Sequence, residues 1–206
     1  LRRSRGLGDV YKRQVELLRD AISRETAHGQ GLVPAYAESL KQVFLEAGFP
    51  PETLTMVPYG ETASLVVRYE GDGSSGREPI LFSSHMDVVP ADPESWLRHP
   101  FELQADDTFF YGRGVLDNKF DVTILTTLFV WLKESGFVPT RDLVLAFTGD
   151  EESFQETVQQ LARDYRDLVD AEYALVVDGG GGVLNDAGDA IPVSYTHLRA
   201  HETFAN

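Results

Sequence analysis

Apolar positions change period several times along the chain. Over residues 15–28, Leu17, Leu18, Ala21 and Ile22 recur at helical spacing and predict that a helix starts there. A second helix is predicted over 34–48, where Tyr36, Leu40, Val43, Phe44 and Leu45 share a face and Gly48, Pro50 and Pro51 end it. Residues 64–69 (SLVVRY) and 79–84 (PILFSS) read as strands, separated by a Gly/Ser-rich turn over 70–78. Helical spacing returns over 119–135, with Phe120, Ile124, Leu128 and Leu132 on one stripe. Residues 142–148 (DLVLAFT) read as a buried strand, 153–167 as an acidic helix and 173–177 (YALVV) as a last strand before the glycines at 179–182. Continuous apolar strands alternating with helices predict an α/β sheet covered on both faces. No internal repeat is visible.

Composition narrows the function classes. Of the 206 residues, 42% are hydrophobic and 25% charged, as in an ordinary globular protein. No apolar run approaches the ~20 residues of a membrane helix. Cysteine is absent, which excludes disulfides and thiolate metal sites. The net charge of −15 disfavours nucleic acid as a partner and suits divalent cations where carboxylates converge.

Both ends depart from this character. Residues 1–14 carry five basic residues and one acid, and 193–206 show no structural periodicity. Residues 9–14 (DVYKRQ) can be written GAT GTG TAT AAG AGA CAG, and 193–197 (VSYTH) can be written GTC TCT TAT ACA CAT. These strings are reverse complements over their shared length and resemble a transposase end used in sequencing libraries. Residues 4–8 and 198–203 resemble the adjoining adapter. The expectation is an authentic segment over 15–192, with 12 basic and 31 acidic residues, flanked by two foreign tails. His197 and His201 then drop out as ligand candidates.

Chemistry collects where strands end. His85 and Asp87 follow the second strand, Glu151 and Glu152 the third, and Asp178 the last. In open α/β sheets, sites form beyond the carboxyl ends of strands. Three strands delivering these groups to one edge would assemble a nitrogen/oxygen metal site, with Asp117, just ahead of a helix, as a fourth contributor. Alone, a His-x-Asp pair fits a surface pair, a Glu-Glu pair fits a solvated loop, and 179–182 fits either a flexible loop or an anion nest.

Three motifs together resemble the M20 metallopeptidases: Ser84-His85-Met86-Asp87-Val88-Val89-Pro90, Gly112-Arg113-Gly114 through Asp117 and Lys119, and Thr148-Gly149-Asp150-Glu151-Glu152. The family includes carboxypeptidases, dipeptidases and N-acyl-amino-acid deacylases, and the resemblance runs over about 15–192. It implies a three-layer sandwich around a mixed, mostly parallel sheet, here incomplete and without the lid and dimerisation domain. It implies His85 and Asp178 as ligands of a first zinc, Glu152 of a second, and Asp117 bridging both. Asp87 would hold the His85 ring, and Glu151 would be the general base of a metal-assisted hydrolysis of the peptide bond in small peptides, of carboxypeptidase or dipeptidase type. Cobalt or manganese could replace zinc.

The resemblance also implies a cis peptide between Asp117 and Asn118. Ser84, Asn118 and Phe120 stand where the family commonly has Gly, Asp and Gly. A second-zinc His and the lid, both C-terminal in the family, are not in this sequence, so low activity is expected of residues 15–192 alone. The expected substrate is a small peptide or N-acyl amino acid, with no nucleic acid or membrane partner. The expected compartment is the cytoplasm or periplasm, and the full-length parent would dimerise through the lid. Three other readings are an N-acyl-amino-acid deacylase, a non-catalytic metal-binding relative, and a nucleotide-phosphate loop at 179–182. The last lacks the Lys-Ser/Thr ending of a P-loop.

Overall fold

A computed structural model describes residues 7–178, 181–185 and 190–193. Helix α1 (Leu7–Ile22) starts earlier than the apolar spacing indicated, because residues 7–14 extend the same amphipathic turn pattern. Arg13 in this stretch makes a paired contact with Glu134, at 3.2 and 3.1 Å. Helix α2 (Val33–Glu46) opens with Pro34 in its first turn, a position without need of an N–H donor, and turns at Gly48, φ +91°. Strands β1 (Leu54–Tyr59) and β2 (Thr62–Tyr69) form a hairpin, followed by β3 (Ile80–His85). The short strands β4 (Gln104–Ala105) and β5 (Phe110–Tyr111) make a separate ribbon ahead of α3 (Lys119–Ser135), which ends at left-handed Gly136.

Strand β6 (Leu143–Thr148) leads to α4 (Glu156–Asp164), α5 (Arg166–Val169) and β7 (Tyr173–Val176). The acidic helix expected over 153–167 is therefore two helices. Residues 153–155 instead belong to a turn, and the chain breaks at Tyr165, whose backbone leaves the helical region. Strands β8 (Gly181–Leu184) and β9 (Ala190–Val193) pair antiparallel. Residues 179–180, part of the glycine run considered as an anion nest, lie outside the described residues, as do His197 and His201.

The main sheet has the order β1-β2-β6-β3-β7. Strands β6, β3 and β7 are mutually parallel, and β2 opposes both β1 and β6, so β2 alone runs against the other four. On one face, Leu65, Val67, Leu145 and Phe147 pack against Ala21 of α1, Tyr36, Leu40 and Phe44 of α2, and Val122, Leu125 and Phe129 of α3. On the other, Val57, Val66, Val144 and Ala146 pack under Leu161 of α4 with Leu168 and Val169 of α5. The alternating residues of β2 and β6 thus serve opposite faces, which is the period-2 rule for a strand buried on both sides. The result is the expected three-layer arrangement.

Two expectations are corrected. The stripe Phe120, Ile124, Leu128 and Leu132 is not the buried face of α3: Phe120 and Leu128 are exposed, and the helix buries Val122, Leu125, Phe129 and Val130 instead. The helix is apolar on more than one side, so spacing alone did not choose the face. Strand β7 is exposed along its length, because it is the sheet's edge and its outer ladder has no strand beside it among the described residues. No described helix is long and apolar enough to cross a membrane.

Candidate metal centre

The carboxyl ends of the parallel strands converge as expected. His85 ends β3, 2% exposed, beside the end of β6 where Thr148 is its register partner. Its Nε2 lies 2.9 Å from Asp117 Oδ1 and 3.7 Å from Asp178 Oδ1. Its Nδ1 faces two acceptors, the Asp87 carbonyl at 3.1 Å and Asp87 Oδ1 at 3.3 Å. Nδ1 therefore carries a proton, and in the neutral ring the Nε2 lone pair points toward the acids.

Ligand-capable atoms of His85, Asp117 and Glu152 lie within 4.8 Å of one another, and so do those of His85, Glu151 and Asp178. The residues picked from the sequence thus meet at the end of β3, in two groups that share His85, with Asp87 on the other side of the ring. The donor set, one imidazole and four carboxylates without sulfur, suits zinc, manganese or cobalt. Asp117 is the most open of the group, its side chain 56% exposed, and the peptide linking it to Asn118 is cis.

The electrostatics are those of crowded anions. Burial pushes Glu151 and Glu152 above the usual carboxylate range; neighbouring acids add to this and His85 opposes it. Burial works against a charge on His85, but the bond and charge of Asp87, with Asp178 and Asp117, overcome it and raise the imidazole to about 9. Such a cluster gains most from a cation that neutralises it.

Sequence reasoning missed what holds the cluster. Asp87 was expected only to orient His85. Its buried carboxylate also accepts the backbone N–H groups of Glu151, at 3.1 Å on Oδ1, and Glu152, at 2.9 Å on Oδ2. Asp150 fixes the other side of the same turn. It accepts from the N–H groups of Glu156 (2.8 Å) and Thr157 (3.0 Å) and from the Thr157 hydroxyl, and its own carbonyl accepts from Gln155 N–H. Acceptance of orphan amides at the start of α4 is helix capping from a distance. Gln155, in the left-handed region at φ 57°, donates from Nε2 to Glu151 Oε1 at 3.0 Å.

Lys119, fully buried, donates to the carbonyls of Ala21 (2.8 Å) and Arg24 (2.5 Å), tying the end of α1 to the start of α3 two residues after Asp117. Burial, then the nearby Arg24, lowers its ammonium to about 7. Asp121, in the first turn of α3, is pushed up to about 6 by burial and by Asp178 and Asp117. Only its position one turn after Asp117 hinted at this.

Comparison with known proteins gives the family and the fold. The model of peptidase family M20/M25/M40 matches residues 81–194. A human N-fatty-acyl-amino acid synthase/hydrolase is 34% identical over 109 residues, covering 53% of this chain and 22% of that protein. A probable succinyl-diaminopimelate desuccinylase of Staphylococcus aureus is 32% identical over 173 residues, 82% of this chain and 40% of that protein. The chain therefore spans well under half the length of these relatives. The fold is similar to that of a dipeptidase, Dug1p, from Saccharomyces cerevisiae, with TM-score 0.64 and 22% identity over 85% of this chain and 42% of that one. It is also similar to an M20 family metallo-carboxypeptidase from Sulfolobus solfataricus, with TM-score 0.65 and 18% identity over 85% of this chain and 38% of that one. With the family model matching more than half of its residues, the chain belongs to peptidase family M20/M25/M40.

Proposed function

We propose that the chain carries most of the metal-binding half of a hydrolase that cleaves the amide bond of a small peptide or an N-acyl amino acid. The observation that carries the reading is the convergence on His85 of two groups within ligand reach, His85 with Asp117 and Glu152, and His85 with Glu151 and Asp178. His85 and Asp178 would hold one zinc ion, Glu152 a second, and Asp117 both. When bound, the metal supplies Lewis-acid polarisation of the scissile carbonyl and a water of lowered pKa.

The protein's own residues do the rest. Glu151 is the general base: its carboxylate takes a proton from the attacking water and returns it to the departing amine nitrogen. In the metal-free chain burial raises its pKa above the usual glutamate range. The Gln155 amide fixes one Glu151 oxygen and leaves the other for the proton. Asp87 sets the His85 tautomer and, through the two amides, the place of the Glu151–Glu152 turn.

The curated relatives bear names of both kinds, an N-fatty-acyl-amino acid synthase/hydrolase and a desuccinylase beside a probable carboxypeptidase, so removal of an acyl group from an amino acid stands beside cleavage between two amino acids. Both are hydrolysis of an amide. Titration with cobalt followed by visible absorption tests the site: uptake is expected, weakened by Asp117→Asn and preserved in Glu151→Gln. In the full-length enzyme, Glu151→Gln is expected to abolish hydrolysis of N-acyl amino acids and dipeptides. Failure to take up any divalent cation would overturn the reading.

A further inference from the structure

Residues 21–26, at the end of α1 and just beyond it, supply none of the ligand candidates, yet they hold two of the turns that do. The carbonyls of Ala21 and Arg24 take the Lys119 ammonium, two residues after Asp117. Thr26 Oγ1 donates to the carbonyl of Met86 at 2.8 Å, and Met86 stands between His85 and Asp87. Thr26, Met86 and Lys119 are all fully buried.

The two bonds of Met86 fix different peptide planes. Its N–H donates to the Thr148 carbonyl at the end of β6, at 2.8 Å. That N–H lies in the plane that contains the Cα of His85. Its carbonyl, held by Thr26, lies in the next plane, which contains the Cα of Asp87. The sheet therefore sets where His85 stands, and Thr26 sets how the chain leaves toward Asp87. A rotation of that second plane would swing Asp87 away from its partners, His85 Nδ1 and the amides of Glu151 and Glu152. Threonine suits the task. Its branched Cβ restricts χ1, so the hydroxyl is held in place at little cost in side-chain freedom.

We propose that Thr26 is a positioning residue of the metal centre. By fixing the Met86–Asp87 peptide it aims the Asp87 carboxylate, and through it the His85 ring and the Glu151–Glu152 turn. Because Lys119 is anchored on the same short segment, Asp117 is held to the same reference. The inference rests on the metal-binding hydrolase reading above and deepens it. A hydroxyl some distance from the ion thus governs how well the ligand candidates on β3, β6 and α3 fit one cation.

The test is cobalt titration of the full chain, read by visible absorption, beside thermal unfolding of the same samples. Thr26→Val keeps the shape and removes the hydroxyl; it is expected to weaken cobalt binding about tenfold or more and to shift the absorption of the bound ion. Thr26→Ser, which keeps the donor, is expected to restore most of the affinity and the parent absorption. Thr53→Val removes a similar bond, from Oγ1 to the Pro50 carbonyl at 2.7 Å, ahead of β1. It is expected to lower Tm and leave both cobalt readouts unmoved, which separates positioning from stability. Parent-like affinity and absorption in Thr26→Val, or an equal loss in Thr53→Val, would overturn the proposal. A measurement on the parent alone decides the matter if Thr26→Val does not fold. Coupling is reciprocal, so cobalt is expected to slow amide hydrogen exchange over residues 24–26 more than over 52–55; equal slowing would overturn the proposal. Cobalt uptake by the parent with no loss in Thr26→Val sinks the positioning role and spares the hydrolase reading. No uptake by the parent overturns both.

Discussion

Asp87→Asn changes one charge and almost no volume at the point where the two site-bearing strands are joined. In the parent, one buried carboxylate accepts two backbone N–H groups, from Glu151 and Glu152, and faces His85 Nδ1. An asparagine has a single acceptor oxygen, so either rotamer turns an NH2 toward one of the amides. That amide, in surroundings where Asp87 is 3% exposed, loses its acceptor, at a cost of about 1–3 kcal/mol. The surviving bond passes from charge-assisted to neutral, a further loss of about 1 kcal/mol. Removing a negative charge from the acidic cluster offsets part of this. The net expectation is about 2–3 kcal/mol of destabilisation of the metal-free chain. For a protein of this length that is a fall in Tm of about 4–12 °C, read by circular dichroism. Cobalt affinity is expected to drop about 10- to 100-fold, because the ring and the Glu pair lose their common support. A Tm within about 1 °C of the parent, with unchanged cobalt affinity, would refute the assignment of the two amides to Asp87.

Other outcomes follow from single residues. Gly149→Ala would place a methyl against Thr62 Oγ1 and 2.5 Å from the Ala63 carbonyl, backbone that cannot move aside, so a loss of about 1–3 kcal/mol is expected in denaturant titrations. In the metal-free chain, folding raises the pKa of Asp121 from 3.8 to about 6, so the parent loses stability as pH rises through that interval. Asp121→Asn is accordingly expected to raise Tm above pH 6 and to leave it unchanged below about pH 4; a uniform shift at all pH values would contradict this. Protonated His85 competes with metal, so cobalt affinity is expected to strengthen with pH, by up to about tenfold per unit, until about pH 9. A pH-independent affinity would show that the ring is already neutral.

The parts of the fold legible in the sequence are those dictated by local pattern. Strands β3 and β6 are short apolar runs ending in polar residues, and α3 has the bounds its composition implies. The site was legible for the same reason: in a parallel sheet, residues just past strand ends must meet at one edge, and His85, Glu151, Glu152 and Asp178 all occupy such positions. Strand β1 was not foreseen, because Pro58 interrupts it. An edge strand tolerates a residue without an N–H, and β1 is an edge. The bonds from Asp87 to Glu151 and Glu152, and from Lys119 to Ala21 and Arg24, span from 64 to 98 positions. No periodicity encodes pairings at that range; only the packed fold creates them.

The enclosure of Lys119 makes its amine a reporter of motion. With its ammonium lowered to about 7, it would be among the most nucleophilic amines of the chain if a reagent reached it. Instead it is sealed between α1 and α3. Its acetylation by a small anhydride can proceed only in the fraction of molecules in which α1 has lifted away, so the labelling rate counts those openings. Because Asp117 lies two residues away, the same clock also times how often the metal-binding turn comes loose.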